Sequence, residues 1–210
     1  METKLLSDHA EDLLEAAELL RNGAVVGMPT ETVYGLAADA RNPEAVRQIF
    51  AAKGRPADNP LIVHIAEMRA LEQVAATVPP LAEKLAERFW PGPLTMILPK
   101  RKEIPEITSG GLDTVGIRMP SHPVARALIQ LSGVPIAAPS ANISGYPSPT
   151  TAQHVMRDMQ GKIAAVVDGG ACSVGVESTV IALEPNGTVR ILRPGFVTKE
   201  MLEEVAPEVT

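Results

Sequence analysis

Short apolar runs of four or five residues recur along this chain, each closed by turn residues and separated from the next by an amphipathic stretch. They are Ala24–Met28, Leu61–Ile65, Leu94–Leu98, Val115–Met119, Val134–Ala138 and Ala164–Val167. Runs this short and this uniformly apolar are strands buried on both faces, which occur where helices cover a sheet. The intervening stretches supply those helices. Leu13, Ala17 and Leu20 follow a possible capping box at Asp8–Glu11, and Gly23 can end that helix. Asn42 and Pro43 suit the N-cap and first position of a second helix, with Val46, Ile49 and Phe50 on its apolar face and Lys53-Gly54 at its end. Helical spacing recurs near 67–76, 80–89, 123–131, 150–159 and 198–205.

Near the C-terminus, Thr179–Leu183 and Val189–Leu192 flank Pro185-Asn186-Gly187, and Asn-Gly is a strong hairpin signal. Alternating strands and helices with an added hairpin predict an α/β fold with a mixed parallel and antiparallel sheet. With 210 residues, no internal repeat and no convincing linker, one domain is expected.

Composition narrows the chemistry. The lone Cys172 excludes a disulfide framework and a cysteine-based zinc site, and fits a reducing compartment. The four histidines, His9, His64, His122 and His154, are too scattered to suggest a metal cluster. Six aromatic residues are too few for a platform that stacks single-stranded nucleic acid. The net charge of −6 is unevenly spread: residues 1–20 carry six acids and one base, and residues 199–210 carry four acids and one base. The segment between them holds fifteen acids against seventeen bases, and could favour a small anionic ligand. No basic-then-apolar signal pattern opens the chain, and the longest uncharged stretch, Ala127–Met156, is broken by four prolines. A cytoplasmic protein with no membrane association is expected.

Familiar catalytic signatures are missing: no phosphate-binding P-loop, no G-x-G-x-x-G, no H-E-x-x-H and no G-x-S-x-G. What remains is a series of polar clusters where strands end, the place where ligands gather in open α/β sheets. Pro29-Thr-Glu-Thr-Val-Tyr-Gly35 follows the first apolar run, though a Thr-rich turn has the same composition. Lys53-Gly54-Arg55 suits phosphate oxygens, yet cations at a helix C-terminus also complement its dipole. Asn59-Pro60 and His64 come next; a histidine inside an apolar strand is more often a core residue than a functional one. Arg118, inside an apolar strand, needs an anionic partner, whether Asp113, Asp168 or a substrate carboxylate. Ser140-Ala-Asn142, continuing to Ser148, then Glu177-Ser-Thr179 and Arg193-Pro-Gly195 complete the series, each weak alone.

In this order the segments closely resemble the YrdC/Sua5 family, the L-threonylcarbamoyladenylate synthases, from about residue 10 to residue 200. The family's K-x-R and S-x-N signatures stand here as Lys53-Gly-Arg55 and Ser140-Ala-Asn142. The resemblance implies a single YrdC-like domain over residues 1–200, a twisted mixed sheet flanked by helices with a large concave ligand cleft. Residues 201–210 are then expected as a tail or the start of a linker. It implies an activity as well: L-threonine, bicarbonate or CO2, and ATP give threonylcarbamoyl-AMP and pyrophosphate. The product would pass to a separate transferase complex that makes N6-threonylcarbamoyladenosine in tRNA. Because threonine's amine attacks CO2 and the carbamate attacks the α-phosphorus, no enzyme nucleophile is needed.

By the same resemblance, Lys53 and Arg55 are the expected catalytic pair at the ATP phosphates, with Asn59 beside them. Thr114, Ser140, Asn142, Ser148 and Arg193 would complete the nucleotide site. Thr32, His64, Arg118 and Ser178 would hold threonine, with Arg118 at its carboxylate. Mg2+ would accompany ATP, held mainly by phosphates and water. The alternative is an RNA-binding module of the same fold, which the acidic pI of about 5.3 disfavours beyond weak tRNA binding. Carbamoyl-adenylate chemistry of the hydrogenase-maturation kind is disfavoured by the absence of acylphosphatase and zinc-finger-like segments.

Overall fold

The computed structural model describes residues 1–210. Eleven strands form one mixed sheet: β1 (Lys4–Leu6), β2 (Val26–Met28), β3 (Gly35–Asp39), β4 (Ile62–His64), β5 (Leu94–Pro99), β6 (Thr114–Arg118), β7 (Ile136–Ala137), β8 (Ala165–Val167), β9 (Thr179–Leu183), β10 (Thr188–Arg193) and β11 (Glu208–Val209). Their spatial order is β1-β8-β2-β3-β7-β4-β6-β5-β9-β10-β11. β4 and β6 are parallel neighbours, while β7 and β5 flank them antiparallel. The expected mixed sheet is present, and the Asn186-Gly187 hairpin joins antiparallel β9 and β10.

Helices cover both faces. On one, α1 (Ala10–Arg21) lies against α6 (Pro123–Ser132), where Ala16, Leu20, Ala125 and Leu128 are fully buried. Each leucine sealed this way contributes about 1.5–3 kcal/mol. The second face carries α2 (Pro43–Lys53), α3 (Leu71–Val74), α4 (Pro80–Phe89), α5 (Glu106–Ser109), α7 (Ala152–Met159) and α8 (Lys199–Glu203) around a larger core that includes Ile49, Leu85 and Met96.

The local signals for α2 act as their chemistry dictates. Asn42 Oδ1 accepts the N–H groups of Glu44 and Ala45 at 3.1 and 3.3 Å, Pro43 takes the first position, and Gly54 turns left-handed at φ +68° to stop the helix. α1 differs from expectation. His9 precedes it without a side-chain cap, and the Asp12 carboxylate accepts the Ser7 N–H and hydroxyl at 2.7 and 2.8 Å instead of an Asp8–Glu11 box forming. The 67–76 segment splits into a 3-10 turn at Met68–Ala70 and the single turn α3.

Residues 201–210 are built into the domain rather than trailing from it. Leu202, Ala206 and Val209 are buried, and β11 pairs in parallel with β10. Their alternation of apolar and acidic residues is explained by that half-buried edge. No helix is long and apolar enough to cross a membrane.

Candidate functional site

The parallel register of β4 and β6 pairs His64 with Arg118, setting both at the C-terminal ends of neighbouring strands. Because side chains alternate along a strand, Ile62 and His64 share a face while Val63 enters the core. That face is the floor of a cavity of about 320 Å3, whose wall runs from His64 back along β4 to Asn59, three residues before the strand begins.

The turn after β2 supplies the next wall. The Thr30 hydroxyl donates to the Val33 carbonyl at 2.6 Å and accepts the N–H groups of Thr32 and Val33 at 3.1 and 3.2 Å. Having spent its single proton, it receives the Thr32 hydroxyl at 2.9 Å, and Thr32 Oγ1 then accepts Arg118 Nη2 at 3.2 Å. Arg118 finds its anion in Glu31, not in Asp113 or Asp168. Nη1 donates to Glu31 Oε2 at 3.0 Å, and the same oxygen accepts the Ser121 N–H at 3.1 Å. Glu31 Oε1 is buried without a partner. Burial lowers the Arg118 pKa, opposed by Glu31.

His64 is held neutral. Burial first, and the Arg118 charge second, push its pKa down to about 3, and Nδ1 has no partner although the ring lines the cavity. It lines the cavity despite its apolar strand.

A third wall comes from the segment before β9. Ser178 Oγ lies 2.8 Å from Thr95 Oγ1, and Arg193 grips the same residue, Nη2 donating to its carbonyl at 2.9 Å and to its hydroxyl at 3.2 Å. Glu177 joins two loops, accepting the Ser148 hydroxyl at 2.8 Å and Arg193 Nη1 at 2.6 Å.

The fourth wall pairs Arg55 with the segment 138–140. Arg55 lies with its guanidinium carbon 5.3 Å from the centre of the Phe50 ring and forms none of the chain's ion pairs; its Nε is buried and unpartnered, and burial lowers its pKa. A guanidinium stacked on one face and in no ion-pair contact, with Asp58 acting on it only at longer range, can receive an incoming anion.

Thr32, His64, Arg118, Ser178, Arg55, Asn59, Ser140 and Arg193 therefore meet at one cavity, as the motifs imply. Four expected residues do not reach its wall. Lys53 is 1% exposed, with Nζ donating to the carbonyl oxygens of Ser140 and Asn142. Asn142 turns its amide into its own loop, toward Ile143 and Tyr146. The Ser148 hydroxyl donates to Glu177 and does not itself line the cavity. Thr114 shares the face of β6 that carries Arg118, and the Ile62–Gly116 register sets it level with Pro60 at the Asn59 end of the cavity, but it is not among the lining residues. Glu31 and Glu177 are the two site carboxylates that the motifs alone did not single out; for Glu31 the signal is that a buried arginine demands a carboxylate, whereas the partner of Glu177, Arg193, is partly exposed.

The arrangement has no nucleophile–base pair. The cavity hydroxyls of Thr32 and Ser178 are bonded to arginine and to other hydroxyls, and burial raises the Cys172 thiol to about 11. A polar cavity walled by guanidiniums and hydroxyls at the strand ends suits a small anionic ligand. Comparisons with known proteins agree. The Sua5/YciO/YrdC family model, described as telomere recombination, matches residues 18–195, and the chain belongs to this family.

A threonylcarbamoyl-AMP synthase of Pyrococcus abyssi is 57% identical over 194 residues, 92% of this chain and 57% of that protein. One of Bacillus subtilis is 55% identical over 97% of this chain and 59% of its own length. The solved structure of P. abyssi Sua5 complexed with L-threonine superposes with a TM-score of 0.94 and 51% identity, covering 100% of this chain and 63% of that one. The chain thus spans less than two thirds of the length of these relatives.

Proposed function

We propose that this domain is an L-threonylcarbamoyladenylate synthase, converting L-threonine, bicarbonate and ATP to threonylcarbamoyl-AMP, pyrophosphate and water. The observation that carries the reading is one cavity holding both a carboxylate receptor, Arg118 with Thr32, His64 and Ser178, and an unpaired guanidinium, Arg55. The likeness to relatives of that name, and to a structure with threonine bound, supports it.

In this reading threonine lies at the His64–Arg118 end. Arg118 receives its carboxylate, and the neutral imidazole and the hydroxyls of Thr32 and Ser178 orient the rest. ATP lies along β4 toward Asn59, with Arg55 on its phosphates and Ser140 and Arg193 beside it. The amine of threonine attacks CO2 and loses a proton, and a carbamate oxygen displaces pyrophosphate from the α-phosphorus. The protein's work is alignment and neutralisation of charge. Mg2+ would enter with the triphosphate; Glu177 is the cavity's one wall carboxylate, which suits a metal held chiefly by phosphate oxygens and water, and the ion supplies charge neutralisation there. The product would pass to a separate tRNA-modifying transferase, and the charge and aromatic content leave room for only weak tRNA binding.

Mass spectrometry of products from ATP, bicarbonate and each amino acid in turn tests the reading. The adenylate should form with threonine; its absence with threonine, or equal formation with all amino acids, refutes it. Arg118→Ala should raise the KM for threonine far more than that for ATP, and the reverse pattern removes Arg118 from the carboxylate.

A further inference from the structure

Lys53 and Arg55 stand two residues apart, and the structure sends them to different places. Lys53 is the last residue of α2; Gly54 then turns left-handed, so Arg55 is carried onto the cavity wall with its guanidinium against Phe50. The Lys53 ammonium runs instead beneath the neighbouring loop. It donates to the Ser140 carbonyl in a short contact, to the Asn142 carbonyl at 2.8 Å and to Asn142 Oδ1 at 3.4 Å. An ammonium has three N–H groups, and three oxygens occupy them. Reaching a phosphate would require it to abandon these oxygens, of which the two on Asn142 belong to a buried residue.

The loop itself is held from two sides. The Ser144 N–H donates to the Lys53 carbonyl at 2.9 Å, so main chain and side chain of one residue clasp it together. On the far side the Ala141 N–H donates to Tyr34 O at 2.8 Å and the Leu36 N–H to Pro139 O at 2.9 Å. Asn142 closes the turn through Nδ2, which donates to Ile143 O and Tyr146 O at 2.9 Å each. What this framework leaves on the cavity wall is Ser140.

We infer that Lys53 is a positioning residue that pins the Ser140–Asn142 loop against the end of α2, while Arg55 alone of the pair meets the substrate's phosphate groups. The two signatures, K-x-R and S-x-N, are on this account two halves of one clasp. The inference rests on the proposed reaction only for the identity of the anion.

Lys53→Met keeps the buried stem and removes the donors; Arg55→Ala is its comparator. Amide hydrogen exchange over residues 140–146 should be about tenfold or more faster in Lys53→Met and unchanged in Arg55→Ala. Calorimetric titration with inorganic pyrophosphate should show the opposite: about tenfold or more weakening in Arg55→Ala, and less than about threefold in Lys53→Met, where only a screened charge is lost. Unchanged loop exchange in Lys53→Met, with pyrophosphate affinity lost as in Arg55→Ala, overturns the inference. Should Lys53→Met not fold, labelling of the wild-type protein with a water-soluble amine reagent decides. Lys53 should stay unmodified with and without pyrophosphate; labelling that pyrophosphate suppresses refutes the assignment. Neither arm requires turnover, so a wild-type protein that makes no adenylate defeats the proposed reaction and leaves the clasp standing.

Discussion

Arg118 Nη1 donates to Glu31 Oε2 at 3.0 Å beneath the cavity, and neither side chain is more than 6% exposed. The pair explains how a guanidinium survives in an apolar strand. Its remaining donors are aimed by the partner, since Thr32 and the Gly92 carbonyl take the other contacts at 3.2 and 3.4 Å. Removing one member of such a pair leaves an uncompensated buried charge. Glu31→Gln should therefore cost about 3–5 kcal/mol in chemical denaturation. In whatever fraction stays folded, threonine affinity measured by calorimetry should fall while ATP affinity holds. Equal stability with wild-type threonine binding would show that Glu31 does not set the guanidinium.

His64 gives the protein an acid limit. Its pKa is about 3 in the folded state against an ordinary 6.5, so between those values the unfolded chain binds a proton that the folded chain refuses. Stability from this residue is complete above pH 6.5 and is lost as pH falls toward 3, with a limiting slope of about 1.4 kcal/mol per pH unit. Denaturation midpoints at pH 7, 6, 5 and 4 should show this slope in the wild type and a shallower one in His64→Gln. Identical slopes would place the titration elsewhere.

Gly195 is a steric keystone of the third wall. A Cβ there would stand 2.6 Å from the Thr179 nitrogen and 2.7 Å from the Glu177 carbonyl oxygen, main-chain atoms that cannot swing aside. Gly195→Ala should push the Glu177–Thr179 segment into the cavity. It should lower kcat/KM for both substrates together and destabilise by about 1–3 kcal/mol. A variant that melts and turns over like the wild type would mean that the hairpin shifts freely.

Asn42 acts on local structure alone. Replacing it with alanine removes the acceptor for two N–H groups at the start of α2, and should cost about 1 kcal/mol in thermal or denaturant unfolding. Since Lys53 and Arg55 lie eleven and thirteen residues on, at the far end of α2 and beyond, pyrophosphate affinity should not change. Altered affinity would couple the two ends of the helix.

The alternation of short apolar runs and amphipathic stretches was enough to read the α/β class, because burial on both faces leaves few polar positions in a strand, and those few, such as His64 and Arg118, belong to the cavity. It was also enough for α2 and the β9–β10 hairpin, whose Asn-Pro, Lys-Gly and Asn-Gly signals act within a few residues. β3 was not legible. Gly35-Leu-Ala-Ala-Asp39 is too rich in small residues to declare a strand, and it is one because β2 and β7 pair with it on either side. β1 and β11 have only three and two residues, and likewise exist through their neighbours.

The same division runs through the site. The polar clusters were each weak alone, and it was their order, through the resemblance to the YrdC/Sua5 family, that named Thr32, His64, Arg55, Arg118, Ser140 and Ser178. Direction was decided only in three dimensions. The left-handed turn at Gly54 separates Lys53 from Arg55, and the β4–β6 register sets His64 beside Arg118. A sequence states which charges a chain carries. Which of them face a ligand and which are spent on the protein's own carbonyls depends on contacts between residues as far apart as Lys53 and Ser140, and those form only when the sheet closes around them.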